Sequence, residues 1–235
     1  MNIVGLGNCS VNYILKYNKS KICKTKINTY IDERARSDFL LEHLTIGSFT
    51  LTELKNIIDF SKITSRSILN YMNKQIERKS LACKNPELIV LDNWGDMFFT
   101  AWECKVTHRK LWISNGDDNL TYVKNKNWFS ENFKSCGYLD YDTSVRNYIQ
   151  LIEYYRRYNK ECPVLFGNIY THLWRPDFQR SFYEKIMFDV KQQVKNCFIA
   201  TIDRQKVKPA NPKNKLHFVS ENYIEMFDNS ELLTV

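Results

Sequence analysis

The first ten residues, Met1-Asn2-Ile3-Val4-Gly5-Leu6-Gly7-Asn8-Cys9-Ser10, decide how the fold is read. Ile3, Val4 and Leu6 make a short apolar run. Gly7 and small polar residues follow, and then residues 10–17 (SVNYILKY) read as a helix with Ser10 near its cap. Strand, tight turn and helix start form the junction at which α/β proteins place reactive groups. Cys9 or Ser10 would sit at the carboxyl end of a central strand. The positive N-terminus of the next helix would lie beside it and favour a thiolate or an oxyanion. The plainer reading of the same decapeptide is a Gly-Asn turn followed by an inert buried cysteine.

Working outward, residues 21–29 (KICKTKINT) alternate like a second strand, and residues 35–44 read as a helix. Thr50 or Thr52 would cap a further helix carrying Leu54, Ile57 and Ile58 on one face. Residues 65–80 place Ile68, Leu69, Met72 and Ile76 at helical spacing, as a core stripe. The run ELIVLD at 87–92 reads as a central strand covered on both faces. Asp142 would cap a helix over 143–160, CPVLFG at 162–167 a fourth strand, and Pro176 and Asp177 open a helix to about Asn196. Residues 196–202 (NCFIATI) read as a fifth strand, and 219–228 as the last helix.

This alternation predicts one α/β domain over 1–235: a doubly wound, mainly parallel five-stranded sheet in the order 2-1-3-4-5. Right-handed crossovers would bring Cys9, Asn93, Asn168 and the loop before the last helix to one sheet edge. Residues 97–141 break the rhythm. Residues 110–123 look like two short strands about an Asn-Gly turn, and 124–141 show no clear period. The segment reads as an insertion: a flap, a lid or an oligomer contact. Its aromatic residues suit sugar rings or internal packing equally well.

The 235 residues are 43% apolar, enough for a full core. No apolar run approaches the ~18 residues of a membrane span, and no signal peptide is visible. Seven scattered cysteines without C-x-x-C spacing indicate neither a disulfide framework nor a zinc site. A cytoplasmic protein with reduced thiols is expected. The net charge of +8 could attract nucleic acid, anionic lipid, a polyanionic glycan or a phosphorylated cofactor. A lysine-rich solvated surface explains it as well, and no zinc finger, RNA-recognition signature or long basic helix supports a nucleic-acid partner.

Three blocks stand in order along the chain: Gly7-Asn8-Cys9-Ser10, Asp92-Asn93-Trp94-Gly95-Asp96, and Asn214-Lys215-Leu216-His217 before the final helix. Together they resemble the SGNH (GDSL-type) hydrolase superfamily. They look most like its cysteine-containing branches in bacterial capsule and surface-polysaccharide biosynthesis. The resemblance implies a flavodoxin-like sheet, with Cys9 as nucleophile, His217 as general base, Asn214 orienting it, and Asn93 as oxyanion donor. It departs from the family pattern in Cys for Ser and in Asn214 for Asp. Ser10 is the alternative nucleophile, and the region from Arg34 to Ser48 stands where the second block belongs.

The implied activity is acyl transfer or ester hydrolysis on O-acyl groups of a surface or capsular polysaccharide, or of its sugar precursor. An acyl thioester such as acyl-CoA is a possible donor, and no covalently bound cofactor is expected. A thiol beside a helix N-terminus and a His can ionise near neutrality, and Asn can orient the imidazole. Asn8, Trp94, Asn168 and His172 are candidate substrate contacts, and His172 is also an alternative base. Asp92 and Asp96 lack an evident third ligand, so no metal is expected. Arg34 and Arg36 could hold a phosphate or carboxylate, or simply be solvated. A homo-oligomer is compatible with the aromatic insertion. The competing reading is an SGNH-like binding or assembly protein whose site has decayed.

Overall fold

Strand β1 (Asn2–Gly7) lies second in a five-stranded parallel sheet, between β2 (Asn28–Glu33) and β3 (Leu88–Leu91). Strands β7 (Val164–Gly167) and β8 (Cys197–Ala200) complete it, giving the spatial order β2-β1-β3-β7-β8. This is the doubly wound arrangement with the first strand at the reversal of direction. The computed structural model describes residues 1–7, 9–33, 36–64, 78–113, 120–168, 178–211 and 214–234.

Alternate residues of the central strands enter two cores, as the period of two requires. Ile3, Leu88, Val90 and Leu165 face α1 (Cys9–Tyr17) and α9 (Ser220–Asp228). Val4, Leu6, Ile89, Leu91, Val164 and Phe166 face the other layer. That layer contains α3 (Ser37–Thr45), α4 (Leu51–Ile57), α7 (Tyr141–Arg156) and α8 (Phe178–Gln193). Both faces of the sheet are thus covered, and its strands are apolar on both sides.

The second strand starts later than its alternation predicts. Residues 19–22 add a helical turn, α2 (Lys19–Ile22), and pairing runs from Asn2 opposite Asn28 to Gly7 opposite Glu33. Pairing β1 along its whole length fixes the start at Asn28, which leaves the lysine-rich stretch before it at the surface. Asp140, two residues before the expected cap, accepts from Thr143 N at 2.9 Å and starts α7 at Tyr141. Thr50 caps α4 through a full capping box with Glu53. Of the expected 65–80 helix, residues 65–77 lie outside the described residues.

The irregular segment has its own order. After α5 (Trp94–Phe98), strands β4 (Ala101–Cys104), β5 (Lys110–Leu111) and β6 (Phe133–Gly137) form an antiparallel sheet in the order β5-β4-β6. Helix α6 (Lys126–Asn132) enters β6 directly. Residues 114–119, the expected Asn-Gly turn, lie outside the described residues. The stretch after them does not return onto β5: Val123 instead bridges Ile58. Trp94, Phe99, Trp112, Phe129 and Phe133 are all buried in the same core as the parallel sheet. Packing therefore takes up most of the aromatic residues. A hairpin absent from the sequence reading, β9 (Pro209–Asn211) with β10 (Asn214–Phe218), leads into α9.

Candidate functional site

Cys9 opens α1 immediately after the central strand and is half-buried. Gly7 before it has φ +144, and a Cβ there would fall on the carboxyl group of Asp92. Asp92 N donates to Leu6 O at 2.9 Å, which extends the β1–β3 pairing by one step. The carboxylate of Asp92 then accepts from Ser10 Oγ at 2.9 Å and from Trp94 N at 3.0 Å. Tyr148 Oη donates to Asp92 O at 3.1 Å. One buried aspartate at the end of β3 therefore fixes the turn that presents Cys9.

Ser10 is buried and its hydroxyl is spent on Asp92 rather than on the helix N–H groups. Its position serves the turn. Asn93 is 2% exposed and takes the cap position before Trp94, though its side chain does not cap that helix. It ends the strand next to the one that carries Cys9, on the same edge. Trp94 is buried, edge-on to Phe99 with ring centroids 5.1 Å apart. This places it in the core rather than on a substrate surface. Asn168, at the end of β7, is buried too, and its Nδ2 is 3.4 Å from Thr201 Oγ1.

The β10 strand, whose backbone carries Asn214 and His217, pairs with β9 and leads into α9, which packs on α1. Phe218 N donates to Tyr223 Oη at 3.4 Å, and Tyr223 packs against Tyr13 and Tyr17 of α1. Burial raises the pKa of the Tyr223 hydroxyl, and negative charge at Cys9, Tyr13 and Asp92 adds to the rise. Tyr223 thus links the strand of His217 to the helix of Cys9. Asn8 and His172 lie outside the described residues.

Sequence reasoning left a second buried carboxylate without a role. Asp96 is fully buried and accepts from Ser37 N and Ser37 Oγ, each at 2.7 Å, and from Ser144 Oγ. Asn147 Nδ2 donates to Ser37 Oγ at 3.0 Å. Burial pushes the Asp96 carboxyl up to about 6, against those hydrogen bonds. The network ties the starts of α3 and α7 to the Asn93–Asp96 turn.

Arg36 is 1% exposed, so its solvated reading is excluded. Its guanidinium forks onto Asp38 at 3.0 and 2.9 Å and donates to Phe99 O at 2.8 Å and Gly137 O at 2.7 Å. The available signals were the Asp92-to-Asp96 spacing, which read as a metal pair without a third ligand, and Arg36, which read as an anion contact or as solvated.

Among the described residues, no group of three or more His, Cys, Asp or Glu side chains could hold a metal ion. None of the helices described is long and apolar enough to cross a membrane. No family model matches the chain, and no curated protein is significantly similar to it.

Proposed function

We propose that this chain is an acyltransferase or esterase of SGNH type. Its substrates would be O-acyl groups of a surface or capsular polysaccharide, or of the sugar precursor. The observation that carries the reading is the placement of Cys9: half-buried, first in its helix, at the carboxyl end of a central strand, with Asn93 ending the neighbouring strand. A helix N-terminus stabilises a thiolate there.

The Cys9 thiolate attacks the acyl carbonyl of a thioester donor such as acyl-CoA, or of an O-acyl sugar. Asn93 and the Cys9 backbone N–H stabilise the oxyanion. Collapse expels the CoA thiolate or the sugar alkoxide, which takes a proton from the His217 imidazolium, and leaves a Cys9 thioester. A sugar hydroxyl or water, deprotonated by His217, then attacks the thioester and releases the ester or acid with the thiolate restored. Asn214 orients the imidazole. A cytoplasmic location supplies acyl-CoA, and the seven cysteines, all present as thiols, suit a reducing compartment.

The test is acyl-enzyme formation with p-nitrophenyl acetate and acetyl-CoA, located by peptide mass mapping. A burst with acetyl on Cys9 is expected, absent in Cys9→Ala and retained in Ser10→Ala. Acetyl on Ser10 would shift the nucleophile by one residue. With no acyl-enzyme, and no cysteine of the seven outpacing the others toward iodoacetamide, the decayed binding protein is the correct reading.

A further inference from the structure

We propose that a cleft between α3, the start of α7 and the β5-β4-β6 sheet is a second binding site, built for a neutral polyhydroxylated ring such as a sugar residue. The cleft measures about 630 Å³, and neither Cys9 nor Asn93 is among its lining residues. That volume falls in the ~300–1,000 Å³ range of small-molecule sites.

The charged groups of the lining already have protein partners, Asp140 included, which accepts from Thr143 N at 2.9 Å. Asp38 holds the Arg36 fork and lies 3.3 Å from Lys110 Nζ. Both oxygens of Glu42 accept from Lys110 N, at 2.8 and 2.9 Å. Glu103 Oε1 sits 3.0 Å from Lys134 Nζ and 3.0 Å from His108 Nδ1. An anion such as a phosphate would meet four carboxylates at its walls, those of Asp38, Glu42, Glu103 and Asp140. A simple amine would compete with Arg36 and Lys110 for partners they already hold. A neutral ligand rich in hydroxyl groups needs neither exchange. It donates to carboxylate lone pairs that remain and accepts from Lys110 Nζ, which is a quarter exposed.

One strip of the wall is apolar, formed by Leu41, Ile46, Tyr138 and Leu139. A sugar ring presents C–H groups to such a strip and hydroxyls to the polar side. Two of the carboxylates, Asp38 and Glu42, are each under a tenth exposed, so their positions are set by packing before any ligand arrives. Burial also raises the Glu42 carboxyl to about 7, against the pull of Lys110.

The cleft connects to the thiol-bearing edge. Arg36 and Asn147 line it, and Asn147 donates to the Ser37 hydroxyl that holds Asp96. A ring bound here lies behind the network that sets the Asn93–Asp96 turn, as a second subsite for an extended glycan. The choice of a sugar over other polyols rests on the glycan reading above. The site itself does not.

Amide chemical shifts of the isotopically labelled full chain test this, titrated with maltotriose and with the N-acetylglucosamine trimer. At least one trisaccharide should perturb residues 38–46 and 103–110. Glu42→Gln should weaken binding about tenfold, because the amide turns one of the two acceptor oxygens into a donor. Ile46→Trp, at a half-exposed position on the rim, should abolish it without touching the core. Cys9→Ala should leave it unchanged. No perturbation by either sugar, binding indifferent to Ile46→Trp, or tighter binding of inorganic phosphate or spermidine at these residues overturns the site. Cleft binding without an acyl-enzyme would retain this site and remove the reaction. An acyl-enzyme without cleft binding would do the reverse.

Discussion

At the carboxyl edge of the parallel sheet, Gly7 and Asp92 meet across adjacent strands, and Ser10 and Trp94, which hold the Asp92 carboxylate, follow those strand ends directly. In the small antiparallel sheet the holding groups are long side chains rather than strand ends. Arg36 reaches carbonyls of Phe99 and Gly137, and Arg109 reaches Glu53 and Ser48 O. The first region is specified by local backbone geometry with a buried carboxylate behind it. The second is a small sheet clasped to the fold by long cationic side chains. A local rule tolerates almost no substitution, whereas a clasp with several arms loses one arm at modest cost.

The largest expected effect contrasts two glycines. Both have positive φ: +144 at Gly7 and +59 at Gly137. A Cβ at Gly137 meets nothing within 4 Å, whereas at Gly7 it collides with the buried Asp92 carboxyl. Gly137→Ala should cost only the backbone strain, about 1 kcal/mol. Gly7→Ala adds overpacking against a pinned group and should cost roughly 5 kcal/mol, enough to remove most of the stability of a domain. Chemical denaturation of both variants checks this. Equal costs would mean that the turn at Cys9 is no more constrained than a strand end in the insertion.

The next effect separates two buried carboxyls by pH. The Asp96 carboxyl rises from 3.8 to about 6 on folding, because burial outweighs its three hydrogen bonds. The native state therefore holds that proton more tightly than the unfolded chain. Its contribution is most favourable below about pH 4 and declines by about 3 kcal/mol as pH rises through 6. Glu42 of α3, raised from 4.5 to about 7, continues the decline. Asp96→Asn should flatten the stability curve between pH 4 and 6 and leave the later decline in place. Urea unfolding at intervals from pH 4 to 7.5 reads both. A variant curve parallel to the parent's throughout would place the proton elsewhere.

These regions were unequally legible in the sequence. The apolar run Ile3-Val4-Gly5-Leu6 and the run Leu88 to Leu91 are covered on both faces, so composition alone marks them as strands, and their order follows from the crossover rule. Cys9 and Asn93 follow from those strands by position. Strand β2 was misplaced because its lysine-rich approach alternates as a strand would. Only pairing with β1 fixes its start. The insertion was opaque because its strands are two to five residues long and its stabilising partners lie far away in sequence, as Arg36 does from Gly137. Asp96 read as an optional metal ligand, since the hydroxyls of Ser37 and Ser144 that hold it are not visible from a one-dimensional pattern.

The smallest expected effect tests the clasp directly. Arg109 donates to both oxygens of Glu53, at 2.7 and 3.1 Å, while its guanidinium lies over the Phe49 ring at 4.4 Å. The Arg109 side chain beside Glu53 lowers that carboxyl from 4.5 to about 2, so the pair stabilises the fold above pH 4.5 and is lost as pH falls toward 2. The Glu53 side chain is nevertheless 39% exposed, and water screens most of that gain. Glu53→Gln keeps an acceptor for the capping box and removes the charge together with one of the two oxygens that Arg109 uses. At pH 7 it should cost about 0.5 kcal/mol, shrinking further in high salt. A double-mutant cycle with Arg109→Met isolates the pair from the stacking on Phe49. A coupling above about 2 kcal/mol, or one indifferent to salt, would mean that the insertion is locked by a desolvated ion pair. Its attachment would then be as exacting as the turn at Cys9, and the difference between the two regions would vanish.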